Sequence, residues 1–384
     1  MSPDETEFSL VVACLHQWCF GRIKKPNNIP LELMKKFHLE RFCYYYGAAE
    51  LEPELRFMLR KEFQQLAAQA IQREMIFQQL TTILTRERIT FCPFKGIDLA
   101  YRCYPVPALR PMCDIDLLVQ PEMCERLLVV LQENGWLLNY QYDNSHHLPV
   151  IQKNGISLEV HFCLPQFHIE DMPSLWKLLV PEEGHQISLP PELNLLMLFN
   201  HSWGHGWSNG IHLLTDVGYL FRQQAPNWNL VMQYTEKFHV KPPQILFEAF
   251  EDFFPQSYQP PYSASPQNIR KSFRQVLSSA WTLTGRRHEL LLNSSESFRK
   301  KWWKERLYGL RPQCLRIKYS LPPDGAYGSI SKFFFLDLAI KGKTMLYHFF
   351  RKPDCELEVF LNSKQALDQY LQHGGFSHDT VKKH

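Results

Sequence analysis

The stretch RPMCDIDLLV, Arg110 to Val119, constrains the fold of this chain more than any other. Ile115, Leu117, Leu118 and Val119 read as a buried strand, yet Asp114 and Asp116 lie two residues apart within it. Alternate residues of a strand share a face, so both carboxylates point one way while Ile115 and Leu117 point the other. Two carboxylates at that spacing repel, and a dry site raises the pKa of one of them unless a cation neutralises the pair. A divalent metal ion is the simplest such cation. The plainer alternative is that Asp114 caps or hydrogen-bonds locally and Asp116 lies on the solvent face of an edge strand.

Downstream, Lys153-Asn154-Gly155 separates His146 to Gln152 from Ile156 to Cys163, which predicts a hairpin. In ISLEVHF, Ile156, Leu158, Val160 and Phe162 form one face and Ser157, Glu159 and His161 the other. If this strand lies beside the aspartate strand with polar faces matched, Glu159 joins Asp114 and Asp116 in a triad of oxygen ligands. Such ligands suit Mg2+ or Mn2+, which retain waters and bind substrate phosphates. In a two-metal arrangement Asp114 and Asp116 contact both ions, and Glu159 holds the catalytic one and assists deprotonation of the acceptor. His161 shares that face and reads as a substrate contact or as a partner orienting the ligands.

Upstream, the apolar run Ile89 to Phe94 predicts a strand, Lys95-Gly96 a tight turn, and Ile97 to Arg102 a short helix. Glycine permits close approach of backbone amides and lysine offers a point charge to phosphate, although an ordinary turn has the same composition. Arg110 is a candidate for the triphosphate or for an ion pair ordering the aspartates. The chain has neither GxxxxGK[ST] nor GxGxxG, so neither a P-loop nor a dinucleotide-binding turn is indicated.

With FKG at Phe94 to Gly96, RPMCDIDLLV, and LEVH at Leu158 to His161, the sequence resembles the nucleotidyltransferase superfamily built on the polymerase-beta-like core, most closely a bacterial family of poorly characterised nucleotidyltransferases. The resemblance spans about residues 85 to 220. It implies an α+β fold, a mixed sheet with helices flanked by N-terminal and C-terminal helical regions, and metal-dependent transfer of a nucleoside monophosphate from a nucleoside triphosphate. By that likeness Asp114, Asp116 and Glu159 are the metal carboxylates, and Gly96 lies in the phosphate turn with Lys95 and Arg110 as candidate nucleotide contacts. The wider superfamily pattern has serine or glycine after the turn glycine and a shorter spacing to the first aspartate. Here Ile97 follows Gly96 and Asp114 comes eighteen residues later.

The expected organisation is a helical region over 1–87, with one long helix or two nearly continuous ones from about Pro53 to Glu87, a catalytic core over 88–185, a helical region over 186–253, and a C-terminal, mainly helical region over 268–384. Pro255 to Gln267 reads as a loop or domain boundary. Two helices separated by Gly204, Gly206 and Gly210 carry His201 and His205, then His212 and Asp216, each pair four residues apart. These side chains bind the helices to each other and to the core, assist acceptor or nucleotide binding, or form a separate metal site such as a phosphohydrolase would need. FRKKWWKER, Phe298 to Arg306, reads as a solvated basic face or as a contact for RNA or nucleotide.

A formal charge of +3 is too near balance to argue for a polyanionic partner. Ten scattered cysteines with no CxxC pair read as free thiols, and no run reaches the length of a membrane span, so a cytoplasmic protein is expected. The leading expectation is a magnesium-dependent nucleotidyltransferase with ATP as the default triphosphate and a small-molecule, protein or tRNA acceptor. The alternatives are a degenerate core that senses nucleotides or binds proteins, and a toxin-like enzyme that modifies tRNA.

Overall fold

A computed structural model describes residues 3–21, 29–138, 147–207, 210–261, 265–280 and 355–372. FRKKWWKER, a helix expected at 295–308 and a segment at 329–350 that fits strand or helix lie outside the described residues.

Five strands form one mixed sheet: β1 (Phe91–Phe94), β2 (Asp114–Val119), β3 (Leu137–Leu138), β4 (Ile151–Lys153) and β5 (Ile156–His161), in the spatial order β1-β2-β5-β4-β3. β2 and β5 run parallel, and the other pairs are antiparallel. A two-stranded ribbon, β6 (Val180–Pro181) with β7 (Ile187–Ser188), lies at the β1 edge, where Phe91 donates its amide to His185 O at 3.1 Å.

The hairpin between β4 and β5 forms at the expected Lys153-Asn154-Gly155. Asn154 at φ 52° and Gly155 at φ 76° give the left-handed pair that a tight hairpin matching strand twist requires. Its first strand is shorter than expected: strand pairing covers Ile151–Lys153, and His147 meets His161 in an isolated bridge.

The helices are α1 (Pro3–Phe20), α2 (Leu31–Lys36), α3 (Glu40–Gly47), α4 (Pro53–Arg86), α5 (Lys95–Arg102), α6 (Cys124–Glu133), α7 (Met172–Trp176), α8 (Pro191–Gly204), α9 (Ile211–Gln223), α10 (Trp228–Lys237), α11 (Gln244–Ala249), α12 (Gln267–Ala280) and α13 (Cys355–Gln372). α4 is one unbroken helix of 34 residues, opened by a proline in its first turn where a missing N–H costs nothing. α6 stops where Asn134-Gly135 predicts, with Gly135 at φ 79°.

The period-two pattern of the strands divides the core. Phe91, Ile115, Leu117, Val119, Ile156, Leu158 and Val160 pack with Ile76, Leu80 and Leu84 of α4 and Leu127 and Leu131 of α6. The opposite faces contribute Cys92, Phe94 and Leu118 to a second cluster containing α1, α3, α8, α9, α11, α12 and α13. Asp116, Glu159 and His161 lie on this second face, between the sheet and the helices. Within the expected boundary a 3-10 turn forms at Gln256–Tyr258, Gln267 already opens α12, and α12 and α13 share the cluster that α8 and α9 build.

α5 is tied to α8 through Asp98, which accepts from Arg102 at 2.8 Å and Asn194 at 3.5 Å. Burial pushes the Asp98 carboxyl up to about 6, against the lowering effect of Arg102 and Asn194. A carboxyl raised in the folded state contributes stability fully present below its unfolded pKa and lost as pH rises through about 6. Raising pH from 4 to 7 should therefore cost on the order of 3 kcal/mol from this group alone. Urea denaturation at the two pH values should show this component in the wild type and not in Asp98→Asn; equal pH slopes would show that Asp98 titrates normally.

Candidate active site

β1 and β2 pair so that Phe94 lies opposite Asp116, which brings the next residue, Lys95, to the same end of the sheet. Lys95 adopts φ 53°, a left-handed conformation that costs a non-glycine residue roughly 1–3 kcal/mol and recurs at functional sites. Its ammonium lies 2.8 Å from Asp116 Oδ1. The expected turn is absorbed into α5, which starts at Lys95 rather than Ile97.

Gly96 serves packing rather than φ. A Cβ there would stand 3.0 Å from Met112 Cβ and 3.1 Å from Arg110 Nη1. Gly96→Ala should cost about 1–3 kcal/mol as overpacking, because Arg110 is fixed elsewhere and cannot swing aside. Chemical denaturation checks this; an unchanged midpoint would show that Arg110 moves freely.

The parallel register of β2 and β5 sets Asp114 opposite Ser157, Asp116 opposite Glu159, and Leu118 opposite His161. His161 Nε2 lies 3.0 Å from Asp116 Oδ1 and 3.5 Å from Glu159 Oε2. Lys95, Asp116 and His161 are 9%, 2% and 1% exposed, whereas Asp114 and Glu159 are half-buried at the mouth of the group. Among the described residues, Asp116, Glu159 and His161 are the one set of three whose candidate ligand atoms all lie within 4.8 Å of one another.

The electrostatics follow from this placement. Burial, with the charges of Asp116 and Glu159 next, pushes the Asp114 carboxyl up to about 6. Burial also acts to raise Asp116, but Lys95 and His161 overcome it through charge and hydrogen bonding and hold the carboxylate well below its ordinary range. The His161 hydrogen bond, working against burial, lowers Glu159. Three carboxylates thus share one sheet face with Lys95 as the nearby ammonium. Asp116 and Glu159, together with His161, bring their candidate ligand atoms close enough to share one cation, whereas Asp114 stands outside that set, its carboxyl pushed up by burial and by its acidic neighbours.

Arg110 has a partner that neither sequence alternative named. Its Nε and Nη2 donate to Asp216 Oδ1 and Oδ2 at 3.0 and 2.8 Å, a fork that ties the segment before β2 to α9. Tyr104 donates its hydroxyl to the same Asp216 at 2.6 Å. The pairing with Asp216 raises the Arg110 pKa despite the opposing effect of burial.

His212 lies 3.2 Å from Arg41 Nη2, and Arg41 also donates to Leu109 O at 2.8 Å and His38 O at 2.7 Å. Burial brings the Arg41 guanidinium down to about 10. His201 and His205 stand apart from these groups, their ring centroids 4.3 Å from each other at the end of α8. Burial, then Lys95 and His205, keep the His201 imidazole well below its usual pKa, with Asp116 and His161 also within electrostatic reach. His201, His205, His212 and Asp216 therefore do not converge as the separate phosphohydrolase site would require: His201 lies within electrostatic reach of Asp116 and packs with His205, His212 bonds Arg41 and Asp216 bonds Arg110. Sequence reasoning missed Arg41 and Tyr104, and no local pattern marks either.

A mixed sheet with helices on both faces and acidic side chains in register on neighbouring strands defines a nucleotidyltransferase core. The chain belongs to the family described as uncharacterised nucleotidyltransferases, whose model matches residues 41–247, from α3 into α11. No curated protein and no solved structure matches it.

Proposed function

We propose that this protein is a metal-dependent nucleotidyltransferase that moves a nucleoside monophosphate from a nucleoside triphosphate, ATP by default, to an acceptor that is a small molecule, a protein or a tRNA. The observation that carries this reading is the register of Asp116 opposite Glu159 on parallel strands, with Asp114 on the same face. Asp114, Asp116 and Glu159 would hold Mg2+ or Mn2+, which when bound neutralises developing charge on phosphate and leaving-group oxygens.

The chain's own residues supply the rest. The first amides of α5, at Lys95 and Gly96, lack intrahelical acceptors and suit phosphate oxygens. Lys95 carries the charge to meet a phosphate once the cation takes over its role at Asp116. Arg110, held by Asp216, shapes the wall beside Gly96 instead of binding phosphate directly. Glu159, less buried than Asp116, is placed to accept the acceptor's proton.

No helix among the described residues is long and apolar enough to cross a membrane, and Cys14, Cys19, Cys43, Cys92, Cys103, Cys113, Cys124 and Cys163 are outside disulfides. Both accord with the proposed cytoplasmic location. Magnesium-dependent release of pyrophosphate from one triphosphate, on adding fractions of cell extract, tests the activity; release that is the same with Glu159→Gln would count against it.

A further inference from the structure

We propose that His161 is itself a ligand of the cation, so that a nitrogen joins the carboxylate oxygens and the site selects a first-row transition-metal ion such as Mn2+ over Mg2+. This rests on the reading of the carboxylates as a cation site and goes beyond it in naming the ion and a fourth residue.

The geometry of β5 carries the inference. Glu159 and His161 are two residues apart on one strand and share its face, while Asp116 sits across from Glu159 in the neighbouring strand. His161 Nε2 stands 3.0 Å from Asp116 Oδ1 and 3.5 Å from Glu159 Oε2. An ion with bonds of about 2.1 Å needs neighbouring donors roughly 3.0 Å apart in an octahedron and roughly 3.4 Å apart in a tetrahedron. The His161 nitrogen already stands at those separations from both carboxylate oxygens.

The ring is also held there. His161 is 1% exposed and lies edge-on to Phe94 at 4.9 Å, with His147 5.2 Å away. A bare structural histidine would satisfy the same packing with its nitrogen turned to one carboxylate; here the same nitrogen faces two. Imidazole is a poor partner for Mg2+, which demands near-ideal octahedral oxygen geometry and sheds its waters reluctantly. It is an ordinary ligand for the later ions, and carboxylates with phosphate oxygens suit Mn2+. Lys95 already occupies the same Asp116 oxygen, so the ion must compete with an ammonium at 2.8 Å, which further favours the more tightly held metal.

The test uses the full chain with MnCl2 and MgCl2 in separate calorimetric titrations, for the wild type, His161→Gln and Asp116→Asn. Glutamine keeps an N–H that can donate to Asp116 but has no imidazole nitrogen, so it preserves a positioning role and removes the nitrogen ligand, leaving at most an amide oxygen in its place. Pulsed electron paramagnetic resonance of bound Mn2+, on protein labelled with 15N-histidine, reads the nitrogen directly and needs no folded variant.

The expected result is Mn2+ bound at least about tenfold more tightly than Mg2+, a 15N coupling in the wild type, and loss of at least about tenfold in Mn2+ affinity in His161→Gln, with Mg2+ affinity changed less. Mn2+ bound in an Asp116-dependent way without histidine coupling, or with full affinity in His161→Gln, would overturn the nitrogen ligand and leave the carboxylate site standing. Binding of neither ion by the wild type would overturn both.

Discussion

Asp116→Asn should abolish cation-dependent binding of the triphosphate and slow transfer by at least about 100-fold, the scale on which loss of a single preorganised electrostatic contact acts. The same substitution should destabilise the fold. Asp116 is the shared acceptor of Lys95 at 2.8 Å and His161 at 3.0 Å, and an amide leaves the ammonium buried beside a weaker acceptor. Breaking a buried pair from one side costs about 3–5 kcal/mol. The two effects separate in the double variant Lys95→Met with Asp116→Asn, which should recover most of the stability and none of the cation binding. Thermal unfolding and calorimetry on the same preparations check both. A double variant that regains cation binding would mean that Asp116 matters only as the counter-charge of Lys95.

The second large effect lies outside the carboxylates. Asp216→Ala should cost about 3–5 kcal/mol by removing the forked acceptor of a guanidinium with little access to water. Arg110 would lose bonds of 3.0 and 2.8 Å, and Tyr104 its acceptor at 2.6 Å. Asp216→Asn, which retains an acceptor oxygen, should cost less. Because the fork joins α9 to the segment entering β2, the damage should reach the site: cation affinity should fall in Asp216→Ala although Asp216 touches neither Asp116 nor Glu159 in this arrangement. Urea denaturation measures the first effect and metal titration the second. A loss below about 1 kcal/mol, with cation binding intact, would show that Arg110 is free to serve a ligand.

Much of the site was legible because strands alternate. Asp114, Asp116, Glu159 and His161 could be assigned to polar faces by period two alone, and the Asn154-Gly155 turn pinned the register of the hairpin that carries two of them. Matching polar faces then placed Glu159 beside Asp116, and the parallel pairing of β2 with β5 does so residue for residue.

What escaped depends on distances that no local pattern encodes. Lys95 reaches Asp116 across 21 residues through the pairing of β1 with β2 and with its backbone at φ 53°, a conformation that composition does not announce for lysine. Arg110 reads from the sequence as a contact for the triphosphate or for the aspartates of β2, but its partner stands 106 positions away on a helix whose Asp216 could equally be read as a metal ligand. Arg41 bonds a carbonyl 68 residues away and a histidine 171 residues away, and nothing around it distinguishes it from a surface arginine at the start of a helix. The packing role of Gly96 is invisible in its local sequence for a related reason: it makes room for Met112 and Arg110.

The most direct measurement is calorimetric titration of ATP, CTP, GTP and UTP, each with and without divalent cation, into the wild type and Asp116→Asn below their unfolding temperatures. Binding of at least one triphosphate that requires the cation and disappears in Asp116→Asn is the expected result. Triphosphate binding that is indifferent to the cation and equal in the two chains would contradict a cation held by the carboxylates of β2 and β5.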